Sequence, residues 1–412
     1  MNSSRTLLRR VPAWAVILMA GCGSPVSWTS PFDPGSNPSL SGQTPRAHAP
    51  AKVLPDSPVD PANLSGSEDL TPFAARILRL DAAVKPVTEE MFRKLNSVLE
   101  EACTAIRKLD SMGNGNSHRD RRQAEARFRA VDAVLIQHGF LYPEDRAVDL
   151  LADALVPFRM EAGQRQAFEA QPENQRRLAM VAERFPGPFH RLDCDTACFL
   201  YLAVAERLKL PWHLVFIPSH DRKPGHTFVR WREGSRSLNW ETMNGVVRTD
   251  ESYVEEWRIQ PAEIREKCAL ADLSMREALG CARYLLAVQY ERRNQPEAAL
   301  RECALALEMF PGNLDARRQF AWLTATAPGL QVRDHDAAIT HARFAARLAG
   351  DADSQDTLAA AYASAGRFDL AVKAQGAAIA ISTGTEASMA GYRHRLALYR
   401  QQKAYRQPAD AP

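Results

Sequence analysis

The chain has no basic block, no basic segment interleaved with aromatics and no apolar stretch at its start long enough to span a bilayer. Lys and Arg number 52 against 49 Asp and Glu, a formal net charge of only +3 in 412 residues. Part of that excess falls in the first ten residues, so nothing recommends a nucleic-acid surface. Cysteine is sparse, seven in all, and its spacing suggests neither a dense disulfide framework nor a zinc-binding CxxC pair. A Ca²⁺-binding loop pattern is missing too, so no metal and no cofactor is expected.

The N-terminus is patterned for export. Arg5, Arg9 and Arg10 precede an apolar run from Val11 to Ala20 that stops at Gly21-Cys22. That run is about half the roughly 20 residues a membrane helix needs, which fits a signal peptide over 1–21. Ala20 and Gly21 before Cys22 resemble a bacterial lipobox, with Met19 where Leu is more usual. The expectation is lipidation of Cys22 and attachment to the membrane through two or three acyl chains. Gly23, rather than Asp, follows the cysteine, which favours the outer membrane, facing the periplasm. Residues 22–67 are rich in Pro, Ser, Gly, Asn and Asp, a composition expected of a flexible tether.

With Cys22 assigned to a lipid, Cys103, Cys194, Cys198, Cys268, Cys281 and Cys303 remain, an even set that an oxidising compartment could pair. From Leu70 to Phe189 apolar residues recur three or four apart, as in Met91, Leu95, Val98 and Leu99 and again in Phe128, Val131, Val134 and Leu135. This predicts helices, broken at Met112–His118 and at Gly139–Asp145.

Chemistry concentrates further on. Asp193 is suited to cap a helix over Phe199 to Leu208, which would place Cys194 in its first turn. There the helix dipole favours a thiolate, while Asp193 and Asp195 oppose it, so a cationic histidine partner matters. Cys198, one turn on, is expected to be a packing residue. Trp212–Ile217 predicts a buried strand, Pro218–Pro224 a polar loop, and His226–Arg232 an alternating, half-exposed strand. A two-residue turn at Glu233-Gly234 would put Glu241 directly across from His226 on one face; a two-residue slip would substitute Asn239 or Met243. A carboxylate there can hold the imidazole in one tautomer and stabilise its charged form.

These segments, CDTACFLYLAVAERLKLP from Cys194 and GHTFVRWREGSRSLNWET from Gly225, resemble the bacterial transglutaminase-like superfamily, of papain-like fold. They are closest to a branch reading CDTLSLLYLAIAERLGLP…GHxFVR…FNIET that is often followed by tetratricopeptide repeats. The motif core covers Asp193 to Gly245, with a looser resemblance back to Tyr142-Pro143. The resemblance implies Cys194 as nucleophile, His226 as general base and Glu241 as the acidic third member, where many relatives have Asp. Asp193 and Asn239 are supporting candidates; His220 lacks the Phe-Val-Arg context that follows His226. An α+β domain of this kind is expected over 68–272.

Downstream, Tyr290, Ala299 and Ala306 share mutual offsets with Tyr362, Ala371 and Ala378. This resembles about three tetratricopeptide-type units within 275–402, the middle one carrying an insertion at Thr326–Asp336, then a capping helix over Glu386–Gln402 and a tail over 403–412. Such an array either offers a surface to a protein partner or braces the domain before it. The function expected is that of a lipid-anchored cysteine hydrolase or acyl transferase acting on an amide bond of a protein or peptide. The alternative is an inactive scaffold of the same fold that binds a partner.

Overall fold

The structure, a computed structural model, describes residues 70–112, 121–142, 150–158, 166, 188–220, 223–382 and 385–408. The expected signal peptide, Cys22, the tether, most of the 112–118 break and the last four residues lie outside the described residues. The fold is mixed α+β with a small antiparallel sheet and a helical C-terminal region. Among the described residues no helix is long and apolar enough to cross a membrane.

Helix α1 (Pro72–Asp81) starts where Pro72 sets φ and the Thr71 hydroxyl accepts from the Ala74 N–H at 3.2 Å. Helices α2 (Glu89–Met112) and α3 (Arg121–Gln137) bury the faces read from their periodicity, including Leu95, Leu99, Phe128 and Val131. Strand β1 (Phe140–Leu141) pairs in parallel with β2 (His190–Arg191). Helix α4 (Leu151–Ala154) is a single turn between them, shorter than the helical pattern expected after the Gly139–Asp145 break, and residues 143–149 lie outside the described residues. The β1–β2 ladder delivers the chain to Asp193: Leu192 N–H donates to the Leu141 carbonyl at 2.7 Å. Helix α5 (Cys194–Leu208) then runs through the core with ten of its first twelve residues fully buried or nearly so, and Lys209 ends it in the left-handed conformation at φ 53°.

Five antiparallel strands follow in the order β6-β5-β4-β3-β7, namely β3 (Trp212–Ile217), β4 (His226–Glu233), β5 (Arg236–Glu241), β6 (Val246–Arg248) and β7 (Asp272–Leu273). Two expectations need correction here. The β4–β5 turn centres on Gly234-Ser235, with Gly234 at φ 60°, and pairs Glu233 with Arg236 and Val229 with Trp240. Glu241 therefore stands diagonal to His226, not directly across from it. Glycine supplies the positive φ at low cost, which draws the turn one residue later than expected. Strand β4 is also not half exposed: six of its eight residues are buried, because both faces are covered. Val229 and Trp231 pack into the main core with α5, while Phe228 packs on Tyr253 and Trp257 of α6 (Asp250–Trp257). A stack of Phe128 against Trp240, ring centroids 5.6 Å apart, ties α3 to the sheet.

The short α7 (Pro261–Arg265) precedes β7. Beyond it stand three helix pairs and a last helix: α8 (Met275–Arg292) with α9 (Pro296–Met309), α10 (Leu314–Thr326) with α11 (His335–Ala349), α12 (Asp353–Ser364) with α13 (Phe368–Ile381), and α14 (Glu386–Arg400). Ala299, Ala306, Ala371 and Ala378 are completely buried, as small residues must be where helices approach closely. Helix α8 lends Ala278, Leu279, Cys281 and Ala282 to the main core. All six described cysteines are free thiols and buried, so no pairing of the expected even set occurs.

Candidate active site

Asp193 is the N-cap of α5. Its carboxylate accepts from the Thr196 N–H at 2.8 Å while its own N–H donates to the Thr196 hydroxyl at 3.0 Å, a reciprocal capping box. Cys194 consequently sits in the first helical turn and is 9 % exposed. The next residue, Asp195, is half-buried and spans to the sheet. One of its oxygens accepts from the Thr227 hydroxyl at 3.1 Å and the other lies 4.0 Å from Cys194 Sγ. Because Thr227 adjoins His226 at the start of β4, this bridge carries the cysteine end of α5 to the histidine end of the sheet.

His226 and Glu241 meet: Nε2 is 2.8 Å from Oε2, and both side chains are buried. The two-residue register shift leaves them on one face, so the diagonal distance is closed by the reach of the glutamate. The same Glu241 oxygen accepts from the Tyr253 hydroxyl at 3.1 Å, whereas Glu241 Oε1 is buried with no hydrogen-bond partner among the described residues. The Trp257 indole lies nearly parallel to the imidazole, 5.3 Å and 17° away, and is fixed by a 3.0 Å bond from its Nε1–H to the Pro224 carbonyl. Lys223 Nζ covers that indole at 3.6 Å from its centroid.

These surroundings set the charges. Burial pushes the imidazolium of His226 down, but the charge and hydrogen bond of Glu241, helped by Asp195, outweigh it and its pKa is raised; Arg248 opposes them. Burial pushes Glu241 up, yet the charge and hydrogen bond of His226, with that of Tyr253, hold its carboxyl below the usual range. Asp195 is raised by desolvation, which the Thr227 bond and His226 only partly offset. The result is a histidine whose charged form is favoured and whose Nε2 is committed to a carboxylate. Its Nδ1 is then the nitrogen left for exchange with another group.

The supporting candidates fall elsewhere. Asn239 accepts from Arg230 Nε at 2.7 Å and donates to Asp250 at 2.7 Å, inside a buried network that fastens β4 and β5 to α6 and β7. Asp193 acts as the helix cap. Cys198 is fully buried, with Sγ 4.0 Å from the Thr242 hydroxyl, and burial drives its thiol well up.

Three residues around the site, Tyr253, Trp257 and Glu263, were not singled out from sequence. Tyr253 and Trp257 are four residues apart on α6, so helical spacing puts both on one face; the capping signal of Thr249 was the available clue. Glu263 is the partner of His220, the histidine set aside in favour of His226: His220 Nε2 lies 2.7 Å from Glu263 Oε1, and His220 Nδ1 lies 2.8 Å from the Pro218 carbonyl. A carbonyl only accepts, so Nδ1 carries a proton and His220 has no ring nitrogen to spare for a nucleophile. Among the described residues no group of three His, Cys, Asp or Glu side chains could hold a metal ion. The chain matches no protein-family model, no curated protein and no solved structure.

Proposed function

We propose that the chain is a cysteine hydrolase or acyl transferase of transglutaminase-like, papain-like architecture that acts on an amide bond of a protein or peptide. The observation that carries this reading is the 2.8 Å contact between His226 and Glu241, on a strand whose Thr227 is bonded to Asp195, the residue after the cysteine in the first turn of a buried helix. Glu241 holds His226 with the proton on Nε2, so Nδ1 takes the proton of the Cys194 thiol. The thiolate attacks the substrate carbonyl, and the developing oxyanion forms by the first turn of α5, toward whose N-terminus backbone N–H groups point. His226 returns its proton to the leaving amine as the C–N bond breaks, leaving a thioester. Water then releases the acid, or an amine forms a new amide, and Cys194 regains its proton.

The resemblance at Cys194, His226 and Glu241 is the ground for the family assignment. The helix pairs after residue 275 are read in the same way as tetratricopeptide-type repeats, whose shared offsets and fully buried alanines support it. The lipobox-like sequence before Cys22 is the ground for a lipid-anchored protein of the bacterial envelope, facing the periplasm.

The test is the pH dependence of iodoacetamide labelling at Cys194, read by peptide mass spectrometry on the wild type and His226→Ala. Rapid labelling below about pH 7 that the substitution removes is expected, since an unperturbed thiol titrates near pH 8.5. Labelling that rises only near pH 8.5 in both proteins would sink the catalytic reading and favour a binding scaffold.

A further inference from the structure

The connection between β3 and β4 is described at residues 218–220 and 223–225, and β4 begins with His226 paired to Ile217. This loop is held from outside the α+β core. Ser219 donates from its backbone N to Asp315 Oδ2 at 3.2 Å and from its hydroxyl to Asp315 Oδ1 at 2.7 Å. Arg318, one turn along α10, donates through Nη2 to the Ser219 carbonyl at 2.8 Å and lies 2.6 Å from its hydroxyl oxygen. Arg318 also pairs with Asp315 and, at 3.4 Å, with Asp351. Asp315 and Arg318 are 6 % and 5 % exposed, so their charges face one another and the loop rather than water.

The far end of the loop meets the same carboxylate. A Cβ on Gly225 would lie 3.1 Å from Asp315 Oδ2, 2.9 Å from the Ile217 carbonyl and 3.3 Å from the Ser219 N. Glycine is what lets Asp315 close over the residue that precedes His226. The seam continues through an apolar contact zone of Cys268 with Leu314 of α10 and with Ala345 and Leu348 of α11.

We propose that Asp315 and Arg318, which belong to the helical region, are positioning residues for His226: both fasten Ser219 after β3, Asp315 also closes over Gly225 before β4, and thereby they keep the imidazole on Glu241. The role rests on His226 being the base of the proposed reaction. The helical region is then part of the catalytic frame, and a partner that shifts α10 changes the reactivity of Cys194 without touching it. The reach of Asp315 is also electrostatic, since its charge contributes to raising the pKa of Asp195 beside Cys194.

A buried ion cluster that merely braced two regions would behave differently, and full-length variants separate the cases. Asp315→Ala removes the clamp, and Ser219→Ala removes only the hydroxyl contacts should the first variant fold poorly. Arg395→Met breaks another buried ion pair, with Asp356 at 2.6 Å, in the same helical region. Two quantities are read: the titration of His226 by NMR of ¹³C-labelled histidine, assigned with His226→Gln, and the pH profile of Cys194 labelling. In Asp315→Ala the His226 midpoint is expected to fall toward the ordinary value near 6.5, and Cys194 labelling at pH 6 to drop roughly tenfold, the effect of about one pKa unit. Ser219→Ala gives a smaller shift of the same sign, and Arg395→Met lowers the melting temperature while leaving both readouts in place. The proposal is overturned if Asp315→Ala and Ser219→Ala keep the wild-type His226 midpoint, or if Arg395→Met moves it equally. Should Cys194 be inert in the wild type, the proposed reaction fails, while the His226 titration still decides the positioning role.

Discussion

His226 and Glu241 are bonded at 2.8 Å although they are not direct partners in the β4–β5 ladder, where Val229 faces Trp240. A register shifted by an even number of residues changes which side chains stand opposite but not which face they occupy. The pair survives because a glutamate can reach diagonally. Glu241→Gln keeps that reach and removes the charge that most favours the imidazolium. Cys194 labelling at pH 6.5 is expected to fall by about tenfold, one pKa unit of His226, and Glu241→Ala further. A rate equal to wild type would mean that the carboxylate does not set the state of His226.

The same pair makes stability depend on pH in a defined window. A histidine whose folded pKa is raised contributes fully below its ordinary value of 6.5 and loses that contribution as pH rises through the folded value. A glutamate whose folded pKa is lowered contributes fully above its ordinary value of 4.5 and loses it as pH falls. The stability difference between wild type and Glu241→Gln, measured by urea unfolding, is therefore expected to be largest between about pH 4.5 and 6.5 and to shrink toward pH 9. A difference that grew with rising pH would contradict the raised histidine.

Trp257 shields the imidazole face and is itself held by Pro224 and Lys223. Trp257→Ala is expected to cost about 3–5 kcal/mol by the usual loss for a buried tryptophan, and also to admit water to the His226–Glu241 bond. Trp257→Phe, which keeps an aromatic face but not the bond to Pro224, is expected to fall between. Chemical unfolding gives the first effect. The Cys194 labelling rate at pH 6.5 gives the second, and a loss confined to the unfolding data would assign Trp257 to packing alone.

Much of this was legible because it is local. The cap at Asp193, the stop at Lys209 and the strand Trp212–Ile217 follow from residue types within a few positions of each other. So do the helix pairs marked by recurring alanines. The register of the hairpin differs by two residues from expectation because Glu233-Gly234 and Gly234-Ser235 both contain the glycine, and its positive φ falls at the first turn position. The covering of His226 by Trp257, and of Gly225 by Asp315 ninety residues away, depends on tertiary placement that no periodicity reports.

Cysteine reactivity offers the sharpest contrast within one chain. Burial raises the thiols of Cys103, Cys198, Cys268, Cys281 and Cys303, that of Cys268 to about 12, so each is both shielded and protonated at neutral pH. Cys194 alone among the described cysteines sits at a helix start beside Asp195 and the His226 end of the sheet. Brief native treatment with iodoacetamide at pH 7 is expected to modify Cys194 and leave the other five intact, whereas treatment in guanidinium modifies all six. Cys198 is the stringent control, one turn along the same helix: if it labels as fast as Cys194 in the native protein, position at the helix start is not what activates the thiol.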